Sequence, residues 1–270
     1  MKTNLLASLA TLVTLTAAPA IAADMRMPVK APTPVAAIYN WTGFYIGGHA
    51  GYGWMDSTDH LRDVTGNAFV AGGDIASSIP LDPKGFIGGG QIGYNWQVSP
   101  MWVIGLEADI SWTDLDETAS RPGPTDPSRI ITAHQKLEWF GTVRGRLGVT
   151  PADRWLAYVT GGLAYGRGSL STALTRIIGN GCVGGANNCQ QGSVSDTLIG
   201  WTVGGGLEWA FANSWTVRAE YLYFDLGNLS HPMTDPFFPL TTFSASTDFK
   251  GSIVRVGINY RFGGPVVARY

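Results

Sequence analysis

Beyond residue 40, apolar and polar residues alternate with a period of two. Between residues 102 and 112, Trp102, Ile104, Leu106, Ala108, Ile110 and Trp112 share one face, and Val103, Gly105, Glu107, Asp109 and Ser111 share the other. A helix repeats every 3.6 residues and cannot make that division, whereas a strand must. Residues 86–96 divide in the same way, with Phe86, Gly88, Gly90, Ile92, Tyr94 and Trp96 set against Gly89, Gln91, Gly93 and Asn95. Residues 44–54, 137–149, 155–165, 197–209, 215–223 and 254–262 behave alike, which predicts eight strands in all. On 137–149 the pattern turns Leu137, Trp139, Val143, Leu147 and Val149 to the apolar side and Glu138 to the polar side. Each segment is close to the ~9–11 residues that a tilted strand needs to cross a bilayer.

The connections alternate in length. Residues 97–101, 150–154 and 210–214 are short turns, while the other joints take some two dozen residues or more. Outer-membrane barrels have short turns on the periplasmic side and long loops outside. An even strand number closes an antiparallel sheet without an edge and puts both chain ends in the periplasm. The aromatic residues fit this arrangement. Trp96, Trp102, Trp155, Trp209 and Trp215 flank the short turns, with Phe44 and Phe262 at the same level. Trp54, Phe86, Trp112, Trp139, Tyr165 and Tyr223 stand at the opposite strand ends. Two aromatic girdles with Ala, Gly, Ile and Val between them suit a membrane barrel better than the core of a soluble β-sandwich. The expected fold is therefore all-β: an eight-stranded, up-and-down antiparallel transmembrane β-barrel over residues 41–270.

Composition agrees with this. Charged residues make up 14% against 45% hydrophobic, and 36 of 270 residues are glycine. No apolar run in the mature chain is long enough for a membrane helix. The N-terminus carries Lys2, an apolar stretch over 5–18 and the small-x-small sequence Ala20-Ile21-Ala22. These three parts in order predict a signal peptide over 1–22, cut between Ala22 and Ala23. Residues 23–40 contain Pro28, Pro32 and Pro34, which forbid regular helix and mark an extended periplasmic linker. The mature chain then carries 17 basic and 20 acidic residues. A net charge of this sign and size gives nucleic acid no purchase.

The inward parity collects the strand charges: Glu107, Asp109, Glu138, Glu208 and Glu220 against Arg144, Arg146, Arg218, Arg255 and Arg261. An eight-stranded barrel is just wide enough for side chains to fill it. Buried charges must be paired there, so the ten form an expected ion network acting as a plug. Gly47, Gly51, Gly89, Gly93 and Gly105 on the same face leave space, so a narrow pore stays open as the other reading. His49 has inward parity, and His60, His134 and His231 fall in long loops without metal spacing. No nucleophile elbow, phosphate loop or zinc motif occurs. No catalytic residue, metal or cofactor is expected, and no enzymatic activity. Cys182 and Cys189, in Gly181-Cys182-Val183-Gly184-Gly185-Ala186-Asn187-Asn188-Cys189-Gln190, are the only cysteines of an exported chain and are expected to pair as a disulfide.

Several stretches resemble a small outer-membrane barrel family common in alphaproteobacteria. Asn40-Trp41-Thr42-Gly43-Phe44-Tyr45-Ile46-Gly47-Gly48 is similar to its first strand. Gly204-Gly205-Gly206-Leu207-Glu208-Trp209 and Arg218-Ala219-Glu220-Tyr221-Leu222-Tyr223 are similar to its sixth and seventh strands. Val256-Gly257-Ile258-Asn259-Tyr260-Arg261-Phe262 is similar to its closing strand. The resemblance implies an OmpA-type barrel of the cell outer membrane, in a family of surface immunogens of which some are described as haemin-binding. Its aromatic C-terminal assembly signal is displaced here, since Phe262 ends the strand and Tyr270 follows. The expected role is structural and surface-exposed, with a narrow porin or haem-uptake protein as the alternative. Expected partners are outer-membrane lipids and the barrel-assembly machinery, then peptidoglycan-side or host-surface partners. The protein is expected to be a monomer or a weak oligomer.

Overall fold

The computed structural model describes residues 39–64, 70–176, 189–234 and 242–262. Ten strands follow in order: β1 (Gly43–Met55), β2 (Ser57–Asp63), β3 (Ser78–Leu81), β4 (Lys84–Gln97), β5 (Trp102–Pro122), β6 (Arg129–Ala152), β7 (Trp155–Arg176), β8 (Cys189–Ala210), β9 (Trp215–Thr234) and β10 (Thr242–Arg261). β1 pairs with β4 on one side and with β10 on the other, so β1-β4-β5-β6-β7-β8-β9-β10 closes as a ring of eight antiparallel strands. Closure matters in lipid, where no water can satisfy the N–H and C=O groups of a sheet edge. No helix among the described residues is long and apolar enough to cross a membrane.

The eight strands are those expected, but most run well past their expected ends. β5, β6 and β7 have 21, 24 and 22 residues. Much of what was expected as long loop is strand. The period of two persists there while the chemistry of the faces changes. On β8, Trp209, Leu207, Val203, Trp201 and Ile199 face outward, but so do Thr197, Ser195 and Ser193 farther along. In the extension the apolar residues turn inward, as in a water-soluble barrel. β6 and β9 make the change by a shift of parity. Glu138 is one residue extra between the pairs Leu137↔Gly168 and Trp139↔Arg167. On β9 the break falls at Gly227, whose φ of 83° is left-handed and suits glycine.

β2 and β3 are an insertion. β1 ends and β4 begins at the level of the outward aromatic residues. Above them β2 pairs with the far half of β10, and β3 pairs with β2. The remaining edge of β3 faces β5 and is closed by side chains. Arg121 Nη1 donates to Ser78 O at 3.0 Å, the Asp82 backbone N–H donates to Glu117 Oε2 at 2.7 Å, and Pro80 has no N–H to offer. An edge protected in this way resists pairing with another chain.

On the lipid-facing surface the aromatic residues meet in cross-strand pairs at two levels. Phe44–Phe262, Trp155–Trp209 and Trp215–Tyr260 lie at the short-turn end, 5.6, 5.9 and 5.0 Å between ring centres. Tyr52–Phe86, Trp139–Tyr165 and Trp201–Tyr223 lie at the other, 5.4, 5.9 and 5.6 Å apart. Trp201 joins the second girdle although its spacing had not marked it. Ile258 stands between the girdles, outward and half-exposed. Ile258→Arg is expected to cost about 2–4 kcal/mol, the penalty for a charge near the bilayer midplane. Urea unfolding in lipid vesicles measures it, and a loss below about 1 kcal/mol would show that this face does not meet hydrocarbon.

Candidate functional site

The candidate site is the lumen. Its chemistry follows from register, because inward residues of neighbouring strands stand opposite one another. Glu107 on β5 pairs with Arg144 on β6, Glu208 on β8 with Arg218 on β9, and Glu220 on β9 with Arg255 on β10. Opposite charges in direct cross-strand register stabilise both the pairing and its alignment.

These residues form one cluster, each at most 5% exposed. Arg144 donates to Glu107 Oε1 at 2.5 Å, to Asp109 Oδ2 at 3.1 Å and to Glu220 Oε1 at 3.1 Å. Arg255 donates to Glu220 Oε2 at 2.7 Å and to both oxygens of Asp109 at 3.1 and 3.2 Å. Arg146 donates to Glu208 Oε2 at 2.7 Å, and its guanidinium lies 3.8 Å over the Tyr158 ring. Arg218 donates to Glu107 Oε2. Four carboxylates thus face four guanidinium groups, and the layer is neutral. The planar fork of arginine lets Arg144 bridge three acids and Arg255 two across the lumen.

Neutral residues complete the cluster. Tyr45 donates to Glu107 at 2.5 Å, Tyr158 to Glu220 at 3.0 Å, Thr142 to Asp109 at 2.5 Å and Thr216 to Glu208 at 2.6 Å. His49 is held between Gln91 and Ser111, with Arg255 Nη1 at 3.3 Å. None of these was marked in the sequence as part of the network. Inward parity could have found them, since each alternates with an apolar outward neighbour.

Two expected members stand elsewhere. Glu138 is the extra residue of the β6 bulge, so it lies on the outer face, 42% exposed, with its carboxylate 3.5 Å from Arg167 Nε. Leu137, expected outward, is inward and buried for the same reason. Arg261 is inward but meets no carboxylate among the described residues. It donates to the carbonyls of Asn40, of Thr42 at 3.2 Å and of Asn213 at 3.0 Å, and it lies 4.5 Å over the Tyr39 ring. Tyr39, placed by sequence in the linker, is thereby folded into the mouth of the barrel with Trp41, where both pack on Val103, Leu156, Tyr158 and Ala210.

The space beside the inward glycines is filled by their neighbours. A Cβ on Gly105 would stand 2.5 Å from Asn95 Oδ1 and 3.0 Å from Arg146 Cγ, and the space beside Gly93 is taken by the Tyr45 ring. Beyond the ion layer, toward the long-loop end, lies an apolar cluster that includes Leu115, Leu137, Phe140, Leu198, Phe224 and Phe249. A second follows, with Leu61, Ile79, Ile131, Leu174, Met233 and Phe243. Among the described residues no three of His, Cys, Asp and Glu converge as a metal site would need. Cys189 opens β8, while Cys182, Ala22, Ala23 and Tyr270 lie outside the described residues, and so does the expected disulfide.

Residues 8–262 match the family described as Outer membrane protein beta-barrel domain. The 31 kDa outer-membrane immunogenic protein of Brucella melitensis is 36% identical over 267 residues, 97% of this chain and 100% of that protein. The 22 kDa outer membrane protein of Rhizobium leguminosarum bv. viciae is 27% identical over 231 residues, 85% of this chain and 82% of that one. Among solved structures, the outer membrane protein OprG of Pseudomonas aeruginosa aligns with a TM-score of 0.45 at 11% identity, over 84% of this chain and 98% of that one.

Proposed function

The chain belongs to the outer-membrane β-barrel domain family, and from that premise we propose that its barrel is a sealed anchor which displays an extended cap at the cell surface. It is an outer-membrane protein, related over nearly its whole length to surface immunogens, and its role is that of a surface antigen of the envelope. The family and its named relatives are non-enzymatic in kind, and its immediate environment is membrane lipid.

One observation carries the sealed-anchor reading: the lumen is closed in three successive ways. Tyr39 and Trp41 fill the short-turn mouth, four ion pairs fill the middle, and two apolar clusters fill the long-loop half. A porin needs a wider, water-lined bore. The haem-uptake alternative gains nothing from His49, whose ring nitrogens are already engaged.

In this reading residues 1–22 direct export, both chain ends are periplasmic, the barrel-assembly machinery inserts the chain, and Cys182 joins Cys189 in the third long loop. The extended cap then presents the surface that host or envelope partners meet. The test is planar-bilayer recording of the refolded full-length mature protein. No steady current is expected at moderate voltage. A stable open level that reverses with the salt gradient would overturn the sealed anchor and restore the narrow pore.

A further inference from the structure

Between the two apolar clusters of the long-loop half lies one polar layer. Asp59 on β2, Gln135 on β6, Thr172 on β7, His231 on β9 and Thr247 on β10 all point inward, none more than 4% exposed. Two hydrogen bonds show that they share one height. Thr172 Oγ1 donates to Asp59 Oδ2 across the lumen at 3.1 Å, and Gln135 Nε2 donates to the Asp248 carbonyl, next to Thr247, at 3.1 Å. Register agrees: His60 pairs with Ser246, which puts Asp59 beside Thr247, and the His231 ring packs on Gly192, which pairs with Thr172.

This layer differs from the ion layer below it in one respect. Among the described residues no Arg or Lys pairs with its single carboxylate, and the basic side chain that bears on it is that of His60, the next residue of β2, which points outward. Thr172 and the Ser246 backbone N–H are the donors that reach Asp59. Among the described residues, Asp59 Oδ1, Gln135 Oε1 and Thr247 Oγ1 are buried without a hydrogen-bond partner, as are both ring nitrogens of His231 in the same layer and the Oε1 and Nε2 atoms of Gln190 one step above. His60, Arg62, His134 and Lys136 point outward, Asp248 is outward with Lys250, and Asp63 and Arg129 lie beyond the upper apolar cluster. The segments 65–69, 177–188 and 235–241 contain no Arg or Lys. A lone carboxylate between apolar layers has to be neutralised.

We propose that this layer is a binding site for one monovalent cation of sodium size, held by Asp59 Oδ1 with Gln135 Oε1 and Thr247 Oγ1. The three proposed ligand atoms are oxygens, which suit a hard cation, and the single imidazole of His231 is too little nitrogen for a transition-metal set. Charge balance selects the valence. One monovalent ion makes the layer neutral, whereas a divalent ion would leave a net positive charge buried among Leu, Ile and Phe. The bound ion would tie the inserted strand β2 to β6 and β10 and so hold the cap in place. A proton competes for the same carboxylate. Burial pushes Asp59 up to about 6 and pushes His231 below its ordinary value, so His231 is neutral and supplies no counter-charge at pH 8.

The test compares the full-length mature protein in lipid nanodiscs at pH 8 in sodium chloride and in choline chloride of equal ionic strength. Amide exchange and proteolysis of residues 57–81 are followed in each. Both are expected to be about tenfold slower in sodium at ten times its Kd, because binding to the closed form alone scales opening by that factor. Asp59→Asn is expected to remove the difference. Should that variant fail to assemble, the salt exchange on the wild type still decides, together with broadening of the sodium-23 resonance by wild-type protein. Equal rates in the two salts at pH 8 would overturn the site. Protection appearing only as the pH falls through 6, alike in both salts, would assign the neutralising role to a proton and overturn it too. Protection by calcium but not sodium would overturn the charge-balance argument.

Discussion

Glu220→Leu is expected to destabilise the barrel by about 3–5 kcal/mol, the usual cost of removing one partner from a buried ion cluster. Glu220 accepts from Arg144, Arg255 and Tyr158 within 3.1 Å and is almost wholly buried. Leucine fills much of the space but accepts nothing. Arg255 keeps Asp109, and Arg144 keeps Glu107 and Asp109, so the two cations share fewer acids rather than losing all of them. The layer is left with one surplus positive charge far from water. Removing Arg255 as well, as in the pair Glu220→Leu with Arg255→Met, restores neutrality and should recover part of the loss, since apolar replacement of a whole ion pair is often tolerated. Urea unfolding in lipid vesicles measures both variants. A loss under about 1 kcal/mol for Glu220→Leu, accompanied by a change in conductance, would mean that the carboxylate faces water and that the lumen is not a plug.

The strand set and the closed antiparallel ring were legible because only an extended chain repeats every two residues, and because the apolar side, as from Trp102 to Trp112, is bounded by aromatic residues at both ends. The lengths were not legible. Where β8 passes from Ile199 to Thr197, the outward face turns polar while the strand continues, so an argument that follows outward apolar residues stops at the girdle. The insertion of β2 and β3 was likewise hidden, because seven and four residues give too little alternation to separate strand from loop. For the lumen, parity found all eight charges of the cluster, from Glu107 on β5 to Arg255 on β10. It misplaced Glu138 because a single-residue bulge reverses inside and outside and leaves no mark in composition. Arg261 was read correctly as inward, but its partners are backbone carbonyls, which carry no sequence signal. The unpaired Asp59 was legible only once β2 existed, since in a loop it would be one solvated acid among many.

Trp41→Ala should cost about 3–5 kcal/mol, as expected for truncating a buried tryptophan in a packed core. Trp41 precedes β1 and has no place in the ring, yet it is 1% exposed. It meets Tyr39 edge to face at 4.9 Å, and its backbone N–H donates to Gln97 Oε1 at 2.9 Å. Arg261, at the end of the last strand, clamps this segment through the carbonyls of Asn40 and Thr42 and ties it to the β8–β9 turn through Asn213. The two ends of the barrel sequence are thus locked to each other by the same contacts that stop its mouth. Alanine would leave a cavity against Val103 and Leu156 and leave Tyr39 without its ring partner. Val98→Ala is the control: Val98 sits in a short turn, 61% exposed, and its truncation should change stability by less than about 0.5 kcal/mol. Unfolding in lipid vesicles gives both values. If the two variants lose the same amount, Trp41 rests on the surface and the mouth is open. A loss several times that of the control, with the barrel still silent in planar bilayers, would show that the incoming segment stabilises the structure while the ion layer alone suffices to block the bore.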